Sequence, residues 1–319
     1  MKAWLAFGSF LNRHMPWFSL GFTALGILFP DVFSWIRPYG MYLFTIVTFQ
    51  GALNNTFDQL ANVVRHPRPV LEVLLVTAAA MPALTRVLGG LLFAESPDIL
   101  AGAVLEFCVP VAVVSVVWTG LYKGNTALCL TILLVSTLLS PFLIPLAMQL
   151  LMGTIVEVDV PGIMGQMLIM VAIPAALGTS VNHFSGGRGK EQLSPVLAPL
   201  AKMVLFVIIA ANSTQVADYF RHPDLLFVST LLFIIAVSGV GFFVGLGLAV
   251  FDHRPAQDIV TMCITCGERN ISAGAVIAAS YFPPAAMLPV ISGTIAQNIM
   301  VVAAGSALEH ILGDEVKRG

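Results

Sequence analysis

Cys263-Ile264-Thr265-Cys266-Gly267-Glu268-Arg269-Asn270-Ile271 stands in the middle of a run, Ile259 to Phe282, that otherwise reads as a membrane-spanning segment. An Arg or a Glu near the centre of a bilayer costs about 2.5–3.5 kcal/mol each on insertion scales. Two such side chains together, flanked by Gly267 and Asn270, do not face lipid. The stretch predicts a broken helix whose gap lines a protected interior, because unpaired backbone at membrane depth survives only inside protein or along a cavity.

Composition supports the membrane reading. Of 319 residues, 58% are hydrophobic and 10% charged, and the mean hydropathy is +0.92. Soluble domains carry about 25% charged residues. A net charge of -2 offers no basic surface for nucleic acid. Cys108, Cys129, Cys263 and Cys266 all lie in apolar runs and form no disulfide framework. The lone Cys263-x-x-Cys266 spacing is read as small packing residues in a helix, and neither a metal nor an organic cofactor is expected. Met1 to Met15 places Lys2, Arg13 and His14 around Trp4, Leu5, Phe7, Phe10 and Leu11, the pattern of a short interfacial helix rather than a cleaved signal.

About 20 mostly apolar residues are needed to cross a bilayer. On that rule an all-α integral membrane protein of ten transmembrane helices is expected, at roughly 16–35, 39–56, 69–92, 99–122, 125–151, 161–181, 197–219, 224–251, 257–281 and 284–310. The connections are too short for a soluble domain, so residues 1–319 form a single transmembrane domain. With the N-terminus inside, the inner segments hold Lys2, Arg13, Arg65, Arg68, Lys123, Arg188, Lys190, Arg254, Lys317 and Arg318, and the outer ones only Arg37 and Arg221. Lys and Arg accumulate on the cytoplasmic side. Both termini are therefore expected in the cytoplasm, with the protein in the plasma (inner) membrane.

Five spans per half make the second half run upside down relative to the first, with repeats at about 16–151 and 161–310. Arg65-His66-Pro67 precedes the third span and Arg221-His222-Pro223 the eighth, 156 residues later. The same offset maps Pro110 in the fourth span onto Cys266 in the ninth. Pro110 removes a backbone donor and crowds the carbonyl of Glu106, and Gly267 is expected to ease unwinding. Paired interruptions in the two halves are the sequence mark of a transporter's midplane site.

Depth sorts the ionisable residues. Glu72 starts the third span, where the helix dipole favours an anion, and Arg86 and Lys202 lie near span ends, where long side chains reach the interface. Glu106, Glu268 and Arg269 lie deep and are functional candidates. An Arg269–Glu106 pair across the two breaks is expected. Of the small polar residues, Asn270 abuts the break, Gln297 and Asn298 lie mid-way down the tenth span, and Ser115, Thr119, Ser136, Thr137, Thr265 and Ser272 cluster on neighbouring spans.

These residues resemble the bile acid/sodium symporter family. The likeness rests on Pro110-x4-Ser115-x9-Asn125, on Val135-Ser136-Thr137-Leu138-Leu139-Ser140-Pro141, on Gly267-x-x-Asn270 with the small-residue run Ser272 to Ser280, and on His66-Pro67, Met81-Pro82 and Asn298. The resemblance implies a five-plus-five inverted repeat with a panel of spans 1, 2, 6 and 7. Spans 3–5 and 8–10 would form a core in which broken helices 4 and 9 cross beside the substrate. It also implies an organic anion as substrate, usually moved with sodium.

The expected substrate-contacting residues are then Ser115, Thr119, Asn270, Gln297 and Asn298, and the expected ion-site or coupling residues Arg269, Glu268, Glu106, Thr265 and Thr77. Departures from the family pattern concentrate in the second set. Val116 follows Ser115, Cys129 and Leu133 replace hydroxyls, Thr77 stands where the family has Gln, and Thr265-Cys266-Gly267-Glu268-Arg269-Asn270 replaces an oxygen-rich run. Sodium coupling is thereby placed in doubt, with Arg269 in the ion-site region and a proton as the other candidate coupling ion. The expected function is alternating-access transport of a small organic anion. The alternatives are an arsenite-type metalloid permease, in which Cys108 and Cys266 would matter, and a non-transporting receptor. No nucleophile, metal cluster or deep His suggests an enzyme. Beyond substrate and bilayer the sequence names no partner and no oligomeric state.

Overall fold

The computed structural model describes residues 2–58 and 67–318. Arg65 and His66, two of the three residues of the first tripeptide that suggested a repeat, lie outside these. Among the described residues the chain is helical throughout, with one isolated backbone bridge in place of any sheet. Six helices are long and apolar enough to cross a membrane: α4 (Pro67–Leu92), α7 (Thr126–Met152), α8 (Val160–Phe184), α9 (Gly189–Arg221), α10 (Leu225–Phe251) and α13, whose apolar run is Pro284–Gly313. A seventh candidate is a bent pair. It joins α2 (Met15–Leu28) to α3 (Gly40–Ala52) through Pro30–Phe33 and a tight turn at Ser34–Tyr39, and changes direction by 106° at the break. Two expected spans thus appear as one sharply bent unit.

The two spans expected to be broken are each built from two shorter helices: α5 (Pro97–Cys108) with α6 (Ser115–Leu121), and α11 (Ala256–Gly267) with α12 (Ile271–Tyr281). Pro110 accounts for the first gap. The residue before a proline is pushed out of the helical region, and Val109 is extended at φ -67°, ψ 154°. Gly267 acts differently from the expectation. It is the last helical residue of α11 with ordinary backbone geometry, and a Cβ there would run into the ring of Phe242. Its role is close packing on α10, where Gly241 and Gly245 receive the backbone of α11 in turn.

Prolines also shape the intact spans. Wide turns occupy Val76–Ala80, Leu168–Ala172 and Gly189–Leu193, each ending two residues before a proline: Pro82, Pro174 and Pro195. A proline inside a helix lacks its N–H and clashes with the preceding turn. A wide turn just before it absorbs both defects without ending the helix.

Packing places α9 on α2 and α3, and α8 on α3, while α10 packs on α11 and α13, and α5 on α7 and α13. The amphipathic α1 (Lys2–Arg13) is pinned to α9 in both directions. Trp4 donates from Nε1 to the Val196 carbonyl (2.8 Å), and Lys202 from Nζ to the Gly8 carbonyl (3.2 Å). Arg86 is equally structural: its Nε donates to Leu151 O (3.0 Å), a carbonyl left unpaired at the end of α7. Glu72 takes part in a terminal cluster with Arg68 (2.8 Å) and Arg254 (3.4 Å). Asp252 completes it by accepting from both arginines, 2.7 Å from Arg254.

Candidate functional site

The two breaks bind each other. Asn270 N–H donates to Pro110 O (2.9 Å) and Ala112 N–H to Glu268 O (3.3 Å), an antiparallel bridge centred on Val111 and Arg269. Val111 N–H donates to Ser136 Oγ of α7 (3.0 Å). Backbone groups released by the unwinding are thus taken up by protein, as the membrane interior requires. The Asn270 side chain closes the start of α12, accepting from Ala273 N–H at 3.2 Å, the usual N-cap arrangement.

Arg269 is 2% exposed. Its Nη2 donates to Cys266 O (2.9 Å), at the C-terminal end of α11 where a cation is favoured, and its Nε and Nη1 have no partner among the described residues. The expected pairing with Glu106 is not formed: among the described residues no ion pair within 4.0 Å joins Arg269 to a carboxylate, although the two interact electrostatically. Adjacent backbone geometry accounts for this. The guanidinium turns back onto its own helix end, and Glu106 lies against α13 instead. There Gln297 Nε2 approaches Glu106 Oε1 at 3.4 Å, and Gly293 leaves the space the carboxylate fills. Oε2 of Glu106 has no partner.

A cavity with a water-accessible volume of about 180 Å³ opens beside the crossing. One water needs about 10–15 Å³ by such a measure, so a small metabolite fits. Glu268, Arg269 and Asn270 line it together with Thr294, Gln297 and Asn298 of α13. The facing wall comes from α2, α3, α8 and α9, with Phe44, Val47, Val171 and Leu205 among apolar residues and Ser19, Thr48, Asn55 and Asn212 as polar points. Thus Asn270, Gln297, Asn298, Arg269 and Glu268 are brought together around one space.

The remaining sequence-predicted residues are set apart from it. Ser115 and Thr119 are buried behind the wall, which α6 supplies through Trp118. Thr265 Oγ1 donates to Thr261 O (2.7 Å) and Thr77 Oγ1 to Leu74 O (3.3 Å), so each hydroxyl serves its own helix. Glu106 lies outside the lining and contacts Gln297, which is part of it. Cys108 and Cys266 are buried outside the lining, and among the described residues no group of three or more His, Cys, Asp or Glu is placed to hold a metal. Asn55, Asn212 and Thr294 were missed. Singly, each reads as an ordinary helix residue, and only the packing of distant helices aims them at one space.

Comparison with known proteins settles the family. The model described as the Sodium Bile acid symporter family matches residues 41–223. The chain belongs to this family. It is 34% identical to the uncharacterized protein YbaS of Bacillus subtilis, over 93% of this chain and 97% of that one. It is 27% identical to YocS of the same organism, named an uncharacterized sodium-dependent transporter, over 93% and 90% of the two chains. To BASS1 of Arabidopsis thaliana, named a probable sodium/metabolite cotransporter of the chloroplast, it is 26% identical over 97% and 75%. With its long apolar helices, the chain is a multi-pass membrane protein of a transporter family.

Proposed function

We propose that this protein moves a small organic anion by alternating access, with the carboxylate or other anionic group of the substrate held by Arg269. The observation that carries the reading is that Arg269, a residue of the cavity lining, is buried with two of its three guanidinium nitrogens unpartnered among the described residues. A buried cation without a counter-ion is costly, and an anionic ligand offsets that cost with charge-assisted hydrogen bonds. Asn270, Thr294, Gln297 and Asn298 supply polar contacts on the same side, and the apolar facing wall suits a short hydrocarbon body.

In this reading the chain has ten spans. The bent α2–α3 pair counts as spans 1 and 2, α5–α6 as span 4 and α11–α12 as span 9, arranged as two inverted halves with both termini cytoplasmic. Spans 1, 2, 6 and 7 form the panel, spans 3–5 and 8–10 the core, and the cavity lies between them in the plasma (inner) membrane.

Transport does not depend on sodium. Hard cations are held by several oxygens, and Val116, Cys129 and Leu133 bring no side-chain oxygen to positions where the family resemblance implies one. Arg269 provides the fixed positive charge instead. The test is a thermal-shift screen of organic anions with the purified protein, followed by proteoliposome uptake of a stabilising anion with sodium replaced by choline at fixed pH. Uptake is expected to persist. Loss of uptake in choline overturns the sodium-independent reading, and a screen in which no anion stabilises the protein overturns the choice of substrate.

A further inference from the structure

Glu106 is fully buried, lies outside the cavity and has no counter-ion within 4.0 Å among the described residues. Of its two oxygens one has a single long contact and the other none. An ionised carboxylate accepts at both oxygens and is stable out of water only when donors satisfy them. A structural acid would be expected to have those donors. Glu106 instead rests in a pocket made by the missing side chain of Gly293, 3.4 Å from the amide of Gln297, a residue of the cavity lining.

We propose that Glu106 is an exchangeable-proton site, loaded from cavity water when an anion occupies Arg269. The proposal rests on the anion reading above and adds the ion that travels with the substrate. Glu106 and a bound anion are negative groups in range of the same guanidinium. When the anion takes that cation, the Glu106 carboxylate binds one proton from cavity water, forming an O–H bond and leaving no net charge added to the site. When the anion departs, the proton returns to water on the side then open. Such linkage is reciprocal, so a proton on Glu106 strengthens anion binding by the factor by which the anion strengthens proton binding.

The surroundings suit the role. Arg269, at the crossing, interacts electrostatically with Glu106, and also with Cys266, Cys108 and Glu268. The portion of α13 against Glu106 contributes Gly293 and Gln297, neither titratable. Among the other helices packed on α5, α7 carries the Cys129 thiol and α12 ends in Tyr281. On α4 the titratable groups are Arg68, Glu72 and Arg86, near its ends. Gln297 both lines the cavity and contacts Glu106, so rotation of its amide admits water to the carboxyl. Glu268 lies on the cavity wall itself and is open to it without such a gate.

The test is infrared difference spectroscopy of the full chain in lipid nanodiscs, titrated with pH, with pyruvate as the probe anion. The wild type is expected to show a protonated-carboxyl band that is lost as pH rises. The band should be absent in Glu106→Gln, present in Glu268→Gln, and retained to higher pH when pyruvate is bound. Pyruvate affinity should rise severalfold on acidification in the wild type and become nearly flat in Glu106→Gln, which mimics the loaded state. A band unchanged in Glu106→Gln overturns the proposal, and so does one that ignores pH or bound pyruvate. If the band titrates and maps to Glu106 while pyruvate fails to bind, the proton site stands and the choice of anion fails.

Discussion

Asn270 donates its backbone N–H to the Pro110 carbonyl at 2.9 Å, and this bond ties the two helix breaks into one unit. The residues come from opposite halves of the chain, and each break supplies what the other lacks. The tie is completed by Ala112 donating to Glu268 and by Val111 donating to Ser136. The crossing is therefore a piece of two-stranded backbone pairing carried inside a helical membrane protein. It holds Arg269 at a fixed place on the cavity wall.

Ser136 is the third leg of that tie. Replacing it with Ala removes the acceptor for a buried N–H, and an orphaned donor costs about 1–3 kcal/mol. Ser136→Ala is expected to lower the melting temperature and to speed hydrogen exchange at Val111, while Ser136→Thr, which keeps the hydroxyl, restores much of both. Unchanged exchange at Val111 would show that the backbone bridge alone supports the break.

The breaks and the charge cluster were legible because each violates a rule of membrane helices. Pro110 cannot donate, and Glu268 with Arg269 cannot face lipid. The cavity was legible only on the side near the breaks. Asn212 lies on α9 and Asn55 just past the end of α3, in sequences that carry no anomaly, and their convergence is decided by how α9 and α3 pack. Gly267 was misread for a related reason: sequence reveals a glycine's freedom but not the Phe242 ring pressed against it. The 106° bend falls at Phe29, which Pro30 pushes out of the helical region, and no periodicity encodes its direction.

Gly293 has a testable partner. A methyl group there would occupy the place of Glu106 Oε1, forcing the carboxylate to move. Overpacking of this kind costs about 1–3 kcal/mol. Gly293→Ala is expected to destabilise the protein by that amount, and much less in a Glu106→Ala background. Because contacting residues couple, a double-mutant cycle measures the interaction directly. Additive effects would mean that Glu106 does not rest against Gly293.

The Gly267–Phe242 contact makes the same kind of prediction for a different helix pair. Gly267→Ala pushes a methyl into the ring and is expected to cost about 1–3 kcal/mol. Phe242→Leu in the same chain should recover part of the loss, read as a rise in melting temperature. If the two changes add, α11 and α10 do not meet through this pair.

Arg269→Ala separates structural from functional cost. The side chain has one hydrogen bond, to Cys266 O, and two nitrogens without partners. Removing it forfeits one charge-assisted bond, about 1.5–3 kcal/mol, but also relieves the burial of a charge without a counter-ion, a penalty of several kcal/mol in a dry interior. The two effects oppose each other, so the melting temperature is expected to stay level or rise while anion-dependent stabilisation and uptake disappear. Arg269→Lys keeps the charge but not the planar fork, and two-point recognition of a carboxylate depends on that fork. Its uptake should be low but measurable, with binding weakened more than tenfold. Full transport by Arg269→Ala would make the guanidinium a structural residue and remove the anchor assigned to the substrate.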